Sequence, residues 1–327
     1  MTRVILQRLG FYLIAAWAAL TINFLVPRLM PGDPVAAMTG RMSASATPEV
    51  IDAMRKAFGD TDAPLYKQYV TYLVDVAHGD LGRSTSQYPA RVSDVIASGL
   101  IWTLGLGGVV LVISFVIGTG LGALAAWRRS GWLDAVLPPV LALSGSFPYF
   151  WLAMLALHLF GFTLGWTALR HAYCDHLSPA LSLTFIVDVI QHAMLPALTI
   201  IVATVGGWVL SMRNTMIGVL GTEQITFARA KGLSSRRILW AYAARNALLP
   251  NLTSFGMALG FVLGGSLLTE IVFSYPGTGY LLIQAVRTQD YPLMQGLFLS
   301  ITLAVLAANF LVDLATLALD PRTRPHA

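Results

Sequence analysis

Charge is what this chain has least of: 11% of its 327 residues are Asp, Glu, Lys or Arg, against about a quarter in soluble domains. So little charge argues against a protein folded in water. Cysteine is nearly missing too, and with Cys174 alone no disulfide can close within the chain. Lysine occurs only at Lys56, Lys67 and Lys231, none in a G-x-x-x-x-G-K-[ST] context, so the chain lacks a phosphate loop. Neither a Ser-His-Asp constellation nor paired histidines on one predicted helix face is evident, which gives no warrant for catalysis. There is no long basic arm and no basic patch interleaved with aromatics, so the net charge of +5 does not indicate nucleic-acid binding. No internal repeat is visible either, which weighs against a secondary transporter built from duplicated halves.

Apolar sequence is what the chain has in abundance, 56% of residues, with a mean hydropathy of +0.68. Runs long enough to cross about 30 Å of hydrocarbon at 1.5 Å per residue lie near residues 9–26, 100–126, 135–160, 193–212, 252–269 and 293–319. They predict an all-α integral membrane protein with six transmembrane helices. The first run is followed by Pro31-Gly32-Asp33-Pro34 and no small-residue cleavage site, so residues 1–30 are expected to remain as an anchor helix.

Orientation follows from the cations. With the N-terminus inside, Arg3, Arg8, Arg128, Arg129, Arg213, Arg322 and Arg324 share one side with the basic segment 222–250. The opposite side carries an excess of carboxylates, so both termini are expected in the cytoplasm. Residues 31–98, mixed polar in composition, read as an extracytoplasmic subdomain, and 99–327 as a five-helix membrane domain. Within the subdomain, Thr47-Pro48-Glu49 is expected to open a short helix, and Tyr66, Tyr69, Leu73 and Val76 recur as one apolar helical face. A second external stretch, 161–192, contains His171, Cys174 and His176 in H-x-x-C-x-H spacing. Structural zinc usually takes four protein ligands, so ordinary polar loop residues are the preferred reading and a metal-dependent membrane enzyme the rival.

The cytoplasmic loop 213–250 is the most informative segment. Arg229, Lys231, Arg236, Arg237 and Arg245 are opposed in sign only by Glu223. Thr222 is placed to cap a helix running to Lys231, Gly232 to end it in the left-handed conformation, and Ser234 or Ser235 to cap a second helix reaching Pro250. The cations alone fit a basic connector obeying the positive-inside rule. Ala228 and Ala230 before a helix-ending glycine point further, to a helix that fits closely in another protein's groove.

At these residues the chain resembles the conserved EAA loop of inner-membrane permease subunits in ABC importers, in the dipeptide, oligopeptide and nickel branch. Ala228-Arg229-Ala230-Lys231-Gly232-Leu233 match that motif position by position; Thr226-Phe227-Ala228 replaces the general Glu-Ala-Ala, as in that branch. Pro31-Gly32-Asp33-Pro34, Gly79-Asp80-Leu81-Gly82-Arg83-Ser84, His192-Ala193-Met194-Leu195-Pro196 and Glu270-Ile271-Val272-Phe273-Ser274-Tyr275-Pro276-Gly277 carry the same likeness. The resemblance implies that Ala228, Arg229, Ala230, Lys231, Gly232 and Leu233 dock on a cytoplasmic ATPase. It implies an external scoop and gate at Glu270, Phe273, Pro276 and Gly277, with an ordinary interfacial carboxylate as the alternative for Glu270. It places Pro196 near the start of the fourth span.

The implied partners are a second homologous permease, one or two ABC ATPase subunits that use ATP and magnesium, and an extracytoplasmic solute-binding protein, all at the bacterial inner membrane. The chain itself would hold no cofactor and hydrolyse nothing. Peptides are the first choice of solute, nickel or another metal complex the second. Asp313, costly inside the sixth span, is expected to bond a neighbouring helix; a proton-coupled transporter working through it is the remaining rival. Gly118 and Gly122, and Gly256, Gly260 and Gly264, repeat at four-residue spacing and predict close helix approach, within this chain in preference to a second permease.

Overall fold

In hydrocarbon a backbone N–H finds no water, so an apolar chain satisfies its peptide groups internally, as helix. The computed structural model describes residues 2–29, 63–129, 131–180, 182–263 and 267–319. Among these residues, the structure is helical apart from turns, loops and an isolated bridge between Arg83 and Arg91. The expectations on Pro31-Gly32-Asp33-Pro34 and on a helix at Thr47 fall outside the described residues.

Among the described residues, four helices are long and apolar enough to cross a membrane: Ile5–Val26, Val92–Trp127, Leu183–Leu220 and Tyr291–Leu314. A bent pair, Asp134–Ser146 and Tyr149–Thr163, brings the number to five if it is one span. The sequence predicts a single helix there, yet the two parts meet at 90°. Pro148 explains the break, because its ring disfavours the helical conformation in the preceding residue, and Phe147 accordingly has ψ 136. Hydropathy registers the length of an apolar run, not its direction. The run predicted at 252–269 is met by the helix Arg245–Leu263, followed by Leu267–Val272.

The helix that contains the predicted fourth span starts well before that run. It begins at Leu183, where the Ser182 hydroxyl accepts a hydrogen bond from the Phe185 N–H at 3.2 Å. Asp188, Gln191 and His192 hid these first turns from a hydropathy count. Pro196 therefore lies well inside the helix and is buried, not near its start. At 1.5 Å per residue the helix is about 57 Å long, so its ends extend past a hydrocarbon core of about 30 Å.

The chain divides into two compact units. The first comprises Met1–Thr103, Leu263–Leu267 and Pro276–Ala327. In it the first helix, Thr2–Leu29, packs along the last, Tyr291–Leu319, and the short helix Leu65–Ala77 lies on the first. Phe24 stands 5.0 Å from Tyr69 and 5.5 Å from Tyr72, ring to ring. The short helix thus turns Tyr69, Tyr72, Leu73 and Val76 inward, while Tyr66, assigned to that face from the sequence, is 74% exposed. Val92, Val95 and Ile96 pack with Leu282, Ala285, Leu293 and Leu297 as the core of this unit.

The second unit comprises Leu104–Val262 and Leu268–Tyr275. In it residues 104–127 meet the Leu183–Leu220 helix. A Cβ added at Gly118 would lie 2.4 Å from the Trp208 Cβ, and one at Gly122 2.4 Å from the Val209 carbonyl oxygen, so these glycines do bring two helices of this chain together. Polar contacts fix the register: Thr204 donates to Ser114 at 3.1 Å, Ser211 to Asn251 at 2.5 Å, and Arg213 pairs with Asp134 at 2.6 Å.

Candidate functional site

The loop after the Leu183–Leu220 helix is a helix-turn-helix. Its first helix, Glu223–Ala230, is closed by a Schellman turn: Gly232, at φ 70, donates to the Arg229 carbonyl at 2.9 Å, and Leu233 to the Ala228 carbonyl at 3.3 Å. Thr222 occupies the N-cap position but does not cap with its side chain. Its hydroxyl donates backward to the Val219 carbonyl at 2.8 Å. Ser234 likewise caps by position alone, its carbonyl accepting from Arg237 and Ile238. The second helix runs without interruption through Ser235–Arg237, a π-helical stretch Ile238–Ala244, and Arg245–Leu263.

Burial divides the residues expected to dock in a way the sequence did not reveal. Ile225 and Ala228 are 0% and 4% exposed, packed with Ala123, Ala126, Met212 and Met216 from the ends of two spans and with Ile238, Leu239 and Ala243. The smallness of Ala228 therefore serves close packing inside this chain. Leu233 packs against the same cluster. Arg229, Ala230, Lys231 and Gly232 are exposed. Beside them stands Phe227, 66% exposed, which the sequence reading passed over. Its signal was present: with Ile225 and Ala228 inward at i and i+3, positions 226, 227 and 230 must face out.

The residues expected to form a gate lie in different settings. Thr269 and Glu270 are buried in the six-residue helix Leu267–Val272, and Phe273 is buried just after it. The chain then turns back, with Ser274 at φ 48 and the Tyr275 N–H donating to the Glu270 carbonyl at 2.8 Å. Burial, helped by the Glu270 charge, pushes the Tyr275 phenol up to about 12, so the phenol stays protonated at any physiological pH. Pro276 and Gly277 belong to the other unit, where Gly277 is the N-cap of the helix Thr278–Arg287 and Thr278 donates its N–H to the Thr103 hydroxyl at 2.8 Å.

Asp313 meets the first helix: Arg8 Nη1 is 2.8 Å away and the Tyr12 hydroxyl donates at 3.2 Å. A carboxylate held this way ties two helices together and needs no transported proton to account for it. Asp290, read from the sequence only as one more external carboxylate, proves to be fully buried. It accepts from the Ser84 hydroxyl and, at 2.9 and 2.7 Å, from the Ser86 N–H and hydroxyl, while capping the last helix through the Leu293 N–H at 3.1 Å. Asp followed by Tyr291-Pro292 and an apolar run was the available helix-start signal.

After Thr163, the rival metal reading of His171, Cys174 and His176 is not met, because the three do not converge as a three-ligand cluster. His171 pairs with Asp175 at 3.0 Å and His176 is exposed. Cys174 instead faces Asp188 and His192 on the Leu183–Leu220 helix. Its thiol is held above the ordinary range by the hydrogen bond to Asp188, then by desolvation and the Asp188 and Asp175 charges.

Long apolar helices with little buried charge, joined by a basic helix-turn-helix packed on the ends of two of them, define a multi-pass helical membrane protein. Residues 118–325 match the family described as binding-protein-dependent transport system inner membrane component. A putative peptide permease protein of Brucella suis is 36% identical over 324 residues, covering 99% of both chains. The glutathione transport system permease protein of Escherichia coli is 34% identical over 326 residues, again 99% of both. The di/tripeptide transport system permease protein of Pseudomonas aeruginosa is 32% identical over 337 residues, 99% of both. The chain belongs to the binding-protein-dependent transport system inner membrane component family, the permeases of ABC importers.

Proposed function

We propose that the chain is one of two permease subunits of an ATP-driven importer that moves peptides, delivered by an extracytoplasmic binding protein, across the bacterial inner membrane. Relatives named for peptide, glutathione and di/tripeptide transport, matching over nearly the whole chain, support this solute class. The distribution of cations supports six spans with both termini cytoplasmic. ATP and magnesium are then used by separate ATPase subunits docked below.

The two-faced helix Glu223–Ala230 is the observation that carries the reading. One face, Ile225 and Ala228, is locked into a core shared with the ends of two spans. The other offers Phe227 with Arg229, Ala230 and Lys231. An aromatic anchor rimmed by cations suits a groove on a partner subunit. A push on that face passes through Ile225 and Ala228 to Met212, Met216, Ala123 and Ala126, because packed side chains transmit displacement with little compression. Alternating access follows as rigid movement of these span ends when the ATPases close. Glu270 and Phe273, buried in the reversing segment, act as gate elements, and Asp313 as an interhelical tie.

The test is co-purification of the chain with its ATPase. Phe227→Asp should cut retained ATPase at least about tenfold, since truncating an interface anchor costs about 2 kcal/mol or more, while the permease keeps its yield and helix content. ATPase held at wild-type level by that variant would overturn the docking assignment. Ala228→Asp should behave differently, lowering the yield of the permease itself, because it buries an unpaired carboxylate in the chain's own core.

A further inference from the structure

We propose that Cys174, Asp188 and His192 form a binding site for one borderline divalent cation of the zinc class. The three side chains belong to the second unit and place one ligand atom each, a thiol, a carboxylate oxygen and an imidazole nitrogen, within 4.8 Å of one another. Cys174 Sγ is 3.9 Å from His192 Nε2. Tetrahedral zinc holds sulfur and nitrogen ligands about 3.5 Å apart, so a sub-ångström contraction brings this pair to ligating distance. A mixed set of sulfur, nitrogen and oxygen suits zinc or its neighbours and suits magnesium or calcium poorly.

The support around the ligands is already in place. Asp188 and His192 lie one turn apart on a helix, a rigid base for two ligands. The imidazole, 9% exposed, points Nδ1 at the Asp188 backbone carbonyl at 2.9 Å. With its proton on Nδ1, the ring presents the Nε2 lone pair to Cys174, which is the orientation that ligating histidines obtain from a backbone carbonyl. The third ligand is brought in by the loop, whose Cys174 N–H donates to Asp188 Oδ2 at 2.8 Å. Three protein ligands leave the fourth position to water.

The site is independent of which solute crosses the membrane, and its consequence is local. The same loop donates the His171 N–H to the Phe273 carbonyl at 3.0 Å. A cation joining Cys174 to His192 and Asp188 would fasten this loop to the helix and so steady its contact with the reversing segment that contains Glu270.

The full chain in lipid nanodiscs, stripped of metal and titrated with cobalt and then zinc, tests the assignment. One cobalt per chain is expected, with a thiolate-to-cobalt charge-transfer band displaced by zinc. Cys174→Ser should remove the band and weaken zinc binding about a hundredfold, and His192→Gln should weaken it at least tenfold. His171→Ala should leave both unchanged. Amide exchange across residues 170–177 should slow when zinc is added to wild type and not to Cys174→Ser. A wild-type chain without the band, or equal zinc binding by wild type and Cys174→Ser with helix content intact, would overturn the site.

Discussion

Gly122→Leu should nearly abolish recovery of folded chain, while Gly120→Ala in the same helix should leave it intact. A Cβ at position 122 meets the Val209 carbonyl oxygen at 2.4 Å and the Met212 Cβ at 2.9 Å. Neither is the yielding tip of a side chain. Even one methyl must push two helices apart, at about 1–3 kcal/mol, with a larger penalty for Leu. It would also loosen the Met212 neighbourhood that supports the helix Glu223–Ala230. At Gly120 nothing lies within 4 Å of the added carbon, and alanine gains up to about 1 kcal/mol of helix propensity over glycine. Monodisperse yield and Tm in detergent measure both. A Gly122→Leu chain with wild-type Tm would mean that the 104–127 and 183–220 helices do not meet as described.

Asp290→Ala comes next in expected effect. Removing the carboxylate strips the Ser84 hydroxyl, the Ser86 N–H and hydroxyl and the Leu293 N–H of their acceptor at a buried point. Unsatisfied buried donors and a lost cap together cost on the order of 3 kcal/mol. The wild-type residue also has a pH signature. Burial raises its pKa, but the Ser84 hydroxyl, the Ser86 donors and the Thr85 N–H outweigh that and hold it below its ordinary value of 3.8. Because the folded value is depressed, the stabilisation is full above the ordinary carboxylate value and fades as pH falls through the folded one. Tm measured from pH 7 down to pH 3 should therefore decline more steeply for wild type than for Asp290→Asn. Parallel curves would remove Asp290 as the acid-sensitive staple between residues 84–86 and the last helix.

The helix-turn-helix after Leu220 was legible because its signals are local. A positive φ at Gly232 and a helix from Glu223 to Ala230 depend on a few neighbouring residues, and the expected turn is there. Side-chain caps were less legible: Thr222 and Ser234 stand at cap positions, yet their hydroxyls do not accept from the helix N–H groups that follow. The bend at Pro148 and the early start at Leu183 were missed for a shared reason. A hydropathy window averages over residues, so it smooths across a proline and truncates a helix whose first turns are polar.

Composition, the scarcity of charge and short-range patterns were enough to establish a helical membrane protein with a basic helix-turn-helix and glycine-lined helix contacts. These properties depend on solvent transfer and on neighbours within one helical turn, so they are written along the chain. Which face of the helix Glu223–Ala230 is buried, that Cys174 meets Asp188 and His192 instead of His171 and His176, and that Asp290 receives Ser84 and Ser86 across 204 to 206 residues depend on folding. Contacts between distant residues are set by how helices cross and stack, and that geometry has no local signature from which it could be read in advance.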